Sequence, residues 1–126
     1  MIERYSLSPM KEIWDLQAQY QRWLEVELSV VKTFEETAKA PKGTADKIRQ
    51  NAHIDVEKIL SIEEITRHDV IAFIKGITEN MGDEARYFHM GMTSSDVVDT
   101  AWSIAMRDAM QLIIDKNRLF IDVLKK

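Results

Sequence analysis

A short segment places a histidine, a glycine and three successive hydroxyl residues directly before a long apolar helix pattern. It reads HMGMTSSDVVDTA and runs from His89 to Ala101. Thr93 and Asp96 have the types and spacing of a capping box, in which the first residue caps a helix and the acid three positions later bonds back to it. A capping box accounts for one hydroxyl, and this segment offers three.

The start of this helix has the chemistry of an anion-binding site. The first N–H groups of a helix have no partner within it, and the helix dipole places partial positive charge there. The hydroxyls of Thr93 and Ser94 add donors, and Gly91 permits close approach to the backbone. These residues predict that a carboxylate or a phosphate binds here.

A second group of charged side chains lies in the segment TRHDV, residues 66–70, at a junction between two helix patterns. His68 is an acid–base candidate because an imidazole titrates near neutral pH. Arg67 and Asp69 either contribute to the same site or form a solvated ion pair worth about 0–1 kcal/mol. Arg4 and Tyr5 offer a guanidinium and a phenol near the start of the chain, where the alternative is a frayed terminus.

Composition excludes several classes of protein. The net charge of −4 argues against nucleic-acid binding, which needs a basic surface. No apolar run approaches the ~20 residues of a membrane span. The lack of cysteine excludes disulfides and thiolate metal sites and fits the cytoplasm. The three histidines do not share helical spacing and no HExxH motif occurs, so we predict neither a metal nor another cofactor.

Apolar residues recur at spacings of three and four, which predicts helices throughout and an all-α fold. Ser8 and Pro9 have the types of an N-cap and a first helical residue, opening a helix of about 30 residues with a possible break near Asp15. Shorter helices are predicted over 44–51 and 56–66, another around Val70–Met81, and a turn or short helix over 83–88.

The last predicted helix is long, from Ser94 to Lys126, or roughly 50 Å at 1.5 Å per residue. Its apolar face is predicted to comprise Val98, Ala101, Ala105, Ala109, Leu112, Leu119 and Val123. A helix this long must lie in a bundle to cover such a face. Because no C-cap precedes the end of the sequence, we expect either a helix cut from a larger protein or one that pairs with other subunits.

Three blocks of sequence carry a resemblance to a known family. HMGMTSSDVVDTA resembles the H-x-G-x-T-S-x-D segment of the fumarase/aspartase superfamily. Thr66–Val70 is similar to the T-R-H-D-V segment of the adenylosuccinate lyase branch, and MIERYS, residues 1–6, resembles the start of that branch. The blocks occur in the family's order and spacing and span the chain.

The resemblance implies an architecture. Residues 1–92 would form an N-terminal helical domain that leads into residues 93–126, the first long helix of the superfamily's helical-bundle domain. Proteins of this superfamily assemble as homotetramers whose long helices form one bundle, so the resemblance implies that further copies of the protein are partners.

The resemblance also implies a reaction, the elimination of fumarate from two substrates. These are adenylosuccinate, which yields AMP, and the succinyl-carboxamide imidazole ribotide of purine synthesis. Such an elimination needs a base, donors for the charge that develops on a carboxylate, and an acid for the leaving nitrogen.

Roles in this reaction carry over by position. Thr93 and Ser94 would bind a succinyl carboxylate, and His68 would be catalytic on the side of the leaving nitrogen. The nucleotide would be bound by the remaining candidates, namely Arg67 and Asp69 along its length, Arg4 and Tyr5 at its phosphate and ribose, and His89 near the phosphate.

Two parts of the family's site do not occur in these 126 residues. They are the mobile loop G-S-S-x-M-P-x-K-x-N, which carries the serine base, and a second histidine beyond His89. We therefore expect no lyase activity from this chain alone. Two alternatives remain open: another lyase of the superfamily, such as argininosuccinate lyase, and a non-catalytic helical interaction module.

Overall fold

The structure, a computed structural model, describes residues 3–125, which are helical without any strand. The predicted all-α fold is confirmed. In chain order the α-helices are α1 (Met10–Ile13), α2 (Leu16–Glu36), α3 (Thr44–Asn51), α4 (Val56–Thr66), α5 (Asp69–Thr78) and α6 (Ser94–Leu124). Two 3-10 turns occupy Glu3–Tyr5 and Asp83–Tyr87. None of the helices described is long and apolar enough to cross a membrane.

The first predicted helix is broken where the sequence suggested. Asp15 separates α1 from α2, and its Oδ1 accepts a hydrogen bond of 2.7 Å from the Ala18 N–H, as an N-cap does. The predicted cap at Ser8 is wrong. Pro9 occupies the N-cap of α1, and the Ser8 hydroxyl instead donates to Glu12 Oε1 at 2.6 Å.

Four aromatic rings form the centre of the core. Phe73 of α5 stacks on Tyr20 and meets Trp23 edge to face, with centroid distances of 5.8 and 5.4 Å. Its ring also lies 6.0 Å from that of Phe88. Aromatic pairs of this kind contribute about 0.5–1.5 kcal/mol each beyond the burial of their area. The cluster therefore fixes α5 and the segment before α6 against α2.

The α4–α5 hairpin is closed where the Ile59 side chain packs directly on Gly76. A Cβ added at Gly76 of α5 would lie 2.8 Å from Ile59 Cγ1 of α4. At the other end of α5, Arg67 ends α4 in the left-handed region, with a φ of 54°. The hairpin thus holds the TRHDV segment at its tight turn.

The first half of α6 packs against α2, and its second half is bare in this chain. The buried residues of α6, spaced four apart, are Val97, Ala101, Ala105 and Ala109. Val98, predicted on this face, is half-buried and packs against the core next to Val97. Leu119 and Val123 are 61% and 64% exposed. At 1.5 Å per residue α2 is roughly 15 Å shorter than α6, so it cannot cover the whole rod.

Replacing Gly76 by alanine is expected to destabilise the fold, although alanine is the better helix former by about 1 kcal/mol. The added methyl must displace Ile59, which has no space to move into because its side chain is buried. Urea unfolding would measure the change, with Lys75→Ala, an exposed position in the same helix, as the control. A Gly76→Ala protein that is more stable than the original would contradict the close packing described.

Candidate active site

The start of α6 carries the predicted cap and two further hydroxyls. Thr93 is the N-cap, and its backbone N–H donates to Asp96 Oδ2 at 2.8 Å within the predicted capping box. The side chains of Ser94 and Ser95 make no hydrogen bond to any part of residues 3–125. They therefore remain as donors beside the first N–H groups of the helix.

The turn before α6 is held in an uncommon backbone conformation. Gly91 has a φ of 73° and His89 a φ of 59°, both in the left-handed region. A Cβ at Gly91 would meet no atom within 4 Å, so glycine is needed here for its backbone angle and not for lack of space. The same open space lets a ligand approach the backbone. At His89 the same conformation costs about 1–2 kcal/mol, which other contacts must offset.

Glu27 of α2 supplies those contacts. Its Oε2 accepts a hydrogen bond of 2.8 Å from the His89 backbone N–H, and its Oε1 lies 2.7 Å from His89 Nδ1. The Glu27 side chain has no exposed surface, and that of His89 is 17% exposed. The carboxylate thereby ties the core helix to the turn that leads into α6.

Burial raises the pKa of Glu27, while its hydrogen bonds and charge interaction with His89 act in the opposite direction. A carboxylate at such a site is expensive without partners, and these two bonds are what satisfy it. Sequence reasoning missed Glu27. The signal was present, because an acid stands between Leu24 and Val31 on the apolar face of α2.

The α4–α5 junction carries Arg67, His68 and Asp69, all exposed. His68 is the N-cap of α5, with Nδ1 accepting from the Ile71 N–H at 3.4 Å. Asp69 Oδ1 is also 3.4 Å from Nδ1, but it accepts a shorter bond of 2.7 Å from the Val70 N–H. A nitrogen that accepts carries no proton, so the neutral ring holds its proton on Nε2.

The first predicted pair, Arg4 and Tyr5, lies in the 3-10 turn at the start of the described chain. The Arg4 guanidinium lies 4.8 Å from the centre of the Tyr5 ring, which is 71% exposed. This is a cation–π contact in solvent, and it gathers a positive charge and a phenol on one exposed surface.

The predicted residues fall into three groups in this chain. His89, Thr93 and Ser94 lie together around the start of α6, Arg67–Asp69 lie at the α4–α5 junction, and Arg4 and Tyr5 lie in the first turn. No hydrogen bond or ion pair among residues 3–125 joins one group to another. The α4–α5 junction and the start of α6 are connected by packing instead. Phe73 of α5 contacts Phe88, which directly precedes His89.

The cavity between α2 and α6 adds no residue to these three groups. Its volume is about 500 Å³, and no predicted site residue lines it. Within the described part of the chain, no cluster of three or more histidine, aspartate or glutamate side chains has the geometry of a metal site.

Comparisons with known proteins place the chain in a family. The sequence model of a family described as Lyase matches residues 3–126. An adenylosuccinate lyase from Thermotoga maritima is 52% identical over 124 residues, which are 98% of this chain and 29% of that protein. The chain therefore spans under a third of the length of this relative.

A solved structure supports the fold. The crystal structure of a fumarate lyase from Mesorhizobium sp. BNC1 superimposes with a TM-score of 0.74 at 23% identity, over 82% of this chain and 25% of that one. The resemblance inferred from the three sequence blocks is confirmed. Since the family model covers nearly every residue, the chain belongs to this family of lyases.

Proposed function

We propose that this chain forms part of a longer enzyme that eliminates fumarate from adenylosuccinate, giving AMP. The same enzyme would act on succinyl-carboxamide imidazole ribotide. The observation that carries the proposal is the open start of α6, where Ser94 stands next to the N-cap Thr93 without a bond to residues 3–125. The identity with an adenylosuccinate lyase supports the choice of substrate.

The start of α6 suits the group on which charge develops. When a proton leaves the carbon beside a carboxylate, negative charge builds on the carboxylate oxygens. The hydroxyls of Thr93 and Ser94 and the unpaired N–H groups of the first turn would donate to those oxygens. Because the helix is fixed against α2 through Val97 and Ala101, the donors would be in place before the charge forms.

His68 would provide the proton for the leaving nitrogen. The acid would be the imidazolium form: Nε2, which faces no partner among residues 3–125, would give the proton, while the other ring N–H, at Nδ1, lies 3.4 Å from Asp69 Oδ1. Arg67 and Asp69, exposed on either side, would contact the nucleotide. The junction and the start of α6 that together form one site would belong to different subunits, as the resemblance implies.

The phosphate end of the substrate would lie against cations. Arg4 suits it because the planar guanidinium matches phosphate oxygens in pairs, and Tyr5 would lie against the ribose. His89 would be near the phosphate as well. None of these roles needs a cofactor, and neither a nucleic acid nor a membrane is a proposed partner. A place in the cytoplasm stays a prediction.

The exposed second half of α6 supports assembly into a homotetramer. The same proposal includes two domains, residues 1–92 and residues 93–126. Beyond Leu112 large apolar side chains are exposed over more than half of the helix circumference, including Ile113, Leu119, Phe120 and Leu124. An apolar face this broad belongs inside a protein, and equivalent helices of other subunits would cover it.

Replacing His68 by asparagine in the full-length enzyme is expected to lower the rate of fumarate release from adenylosuccinate about 10²- to 10⁴-fold. Asparagine keeps the N-cap of α5 but cannot transfer a proton. His53→Asn, at an exposed histidine outside the site, is the control. Turnover close to that of the unmodified enzyme would remove His68 from the reaction.

Ser94→Ala is expected to lower kcat/KM about 10- to 100-fold, the effect of losing a hydrogen bond to a charged group. Ser95→Ala removes the neighbouring hydroxyl from the same helical turn and should change kcat/KM little. Steady-state assays of both variants give the comparison. Equal effects at the two positions would mean that the hydroxyls serve the helix and not the substrate.

Leu119→Lys in the full-length protein is expected to break the tetramer into smaller species, because a charge would be buried in the bundle. Gln111→Lys adds the same charge on the polar side of the helix, which also carries Asp115, Arg118 and Asp122, and is the matched control. Sedimentation velocity separates the species. A Leu119→Lys protein that sediments as an intact tetramer would place the subunit contact elsewhere.

A further inference from the structure

We propose that Glu27 is a positioning residue of the active site, which holds the His89 imidazole with Nδ1 inward and presents Nε2 to the substrate. The histidine's part in the reaction rests on the function proposed above. The orientation of the ring rests on the structure alone, and the two can be tested separately.

The contacts of Glu27 define the state of the ring. Both carboxylate oxygens are used: Oε2 by the His89 backbone N–H and Oε1 by Nδ1. In the proposed arrangement Glu27 is ionised and can only accept, so Nδ1 carries a proton. The remaining nitrogen, Nε2, has no hydrogen bond to residues 3–125.

The buried position of Glu27 makes this arrangement rigid. The carboxylate has no exposed surface and belongs to the buried face of α2, so it cannot readily exchange the histidine for water. The ring is fixed from the backbone side too, because the same carboxylate holds His89 at its positive φ. Two bonds from one buried group therefore set both where the imidazole lies and which edge faces out.

An orientation of this kind matters for any contact that Nε2 makes. A histidine whose second nitrogen is held by a carboxylate has one tautomer and one ring direction, and its other nitrogen meets a ligand without rotameric freedom. The neutral ring would present a lone pair at Nε2, and the charged ring would present a donor. Without the carboxylate, neither the tautomer nor the direction of the ring would be fixed.

Glu27→Gln tests the orientation because it preserves shape and replaces one acceptor by a donor. The backbone N–H of His89 cannot change its character, so the amide oxygen should stay bonded to it and the amide NH2 should face Nδ1. The imidazole can adapt only by moving its proton to Nε2. We therefore expect the neutral ring to change from the Nδ1–H to the Nε2–H tautomer.

Long-range ¹⁵N–¹H NMR spectra of histidine-labelled protein measure the two ring nitrogens directly. In the unmodified protein Nδ1 of His89 should be protonated at a pH where the exposed His53 ring is neutral. Glu25→Gln is the matched control, because Glu25 lies on the same helix but bonds to Arg49 at 2.6 and 2.8 Å. It should leave the His89 spectrum unchanged.

The unmodified spectrum alone can overturn the proposal, so the test does not depend on the variant folding. An unprotonated Nδ1 in that spectrum would do so, and so would a folded Glu27→Gln protein whose His89 tautomer is unaltered. In the full-length enzyme, Glu27→Gln should lower kcat/KM about 10- to 100-fold. Combining it with His89→Ala should add nothing to the effect of His89→Ala alone.

The same assays separate the two proposals. If the tautomer changes as expected but the full-length enzyme releases no fumarate from adenylosuccinate, the positioning role stands and the proposed substrate is wrong. If fumarate is released and Glu27→Gln is fully active with a changed tautomer, Glu27 orients a ring that the reaction does not use, and the proposal fails.

Discussion

A carboxylate with no contact to solvent needs partners in the protein, and this requirement organises the centre of the molecule. Glu27 satisfies it by accepting two hydrogen bonds from one residue, His89. Because one bond comes from the backbone and one from the ring, the turn before α6 is fixed in position and in conformation. The unusual φ of His89 is the local cost of that attachment.

The aromatic cluster supports the same turn from the other side. Phe88, adjacent to His89, packs on Phe73 of α5, and Phe73 packs on Tyr20 and Trp23 of α2. Hydrogen bonds therefore hold His89, and aromatic packing holds its neighbour Phe88. Together they make the start of α6 a fixed structure before any ligand arrives, which is the property that electrostatic stabilisation of a developing charge requires.

The distribution of the candidate residues fits a site shared between chains. Donors for a carboxylate lie at the start of α6, while His68 lies at a separate junction that no hydrogen bond joins to it within residues 3–125. The exposed apolar half of α6 offers a way to bring such groups together, because a bundle of several copies places the start of one helix near elements of another. Assembly and catalysis would then depend on the same helix.

Much of this could be predicted from the sequence, because helices and caps are specified by neighbours in the chain. The periodicity of apolar residues predicted the all-α fold, Asp15 lies at the predicted break, and Thr93 and Asp96 form the predicted capping box. The placement of the Ser8 cap failed by a single position, since Pro9 is the N-cap of α1. Cap and face assignments are that sensitive, since one residue turns a helix by about 100°.

The sequence by itself determined where the helices lie and which short motifs stand at their ends. The tertiary structure alone decided that Glu27 meets His89, since the two are 62 positions apart and no local pattern links them. It also decided which apolar residues of α6 are covered, because α2 ends before α6 does. Local rules act over a few residues, whereas burial and pairing depend on which helices meet.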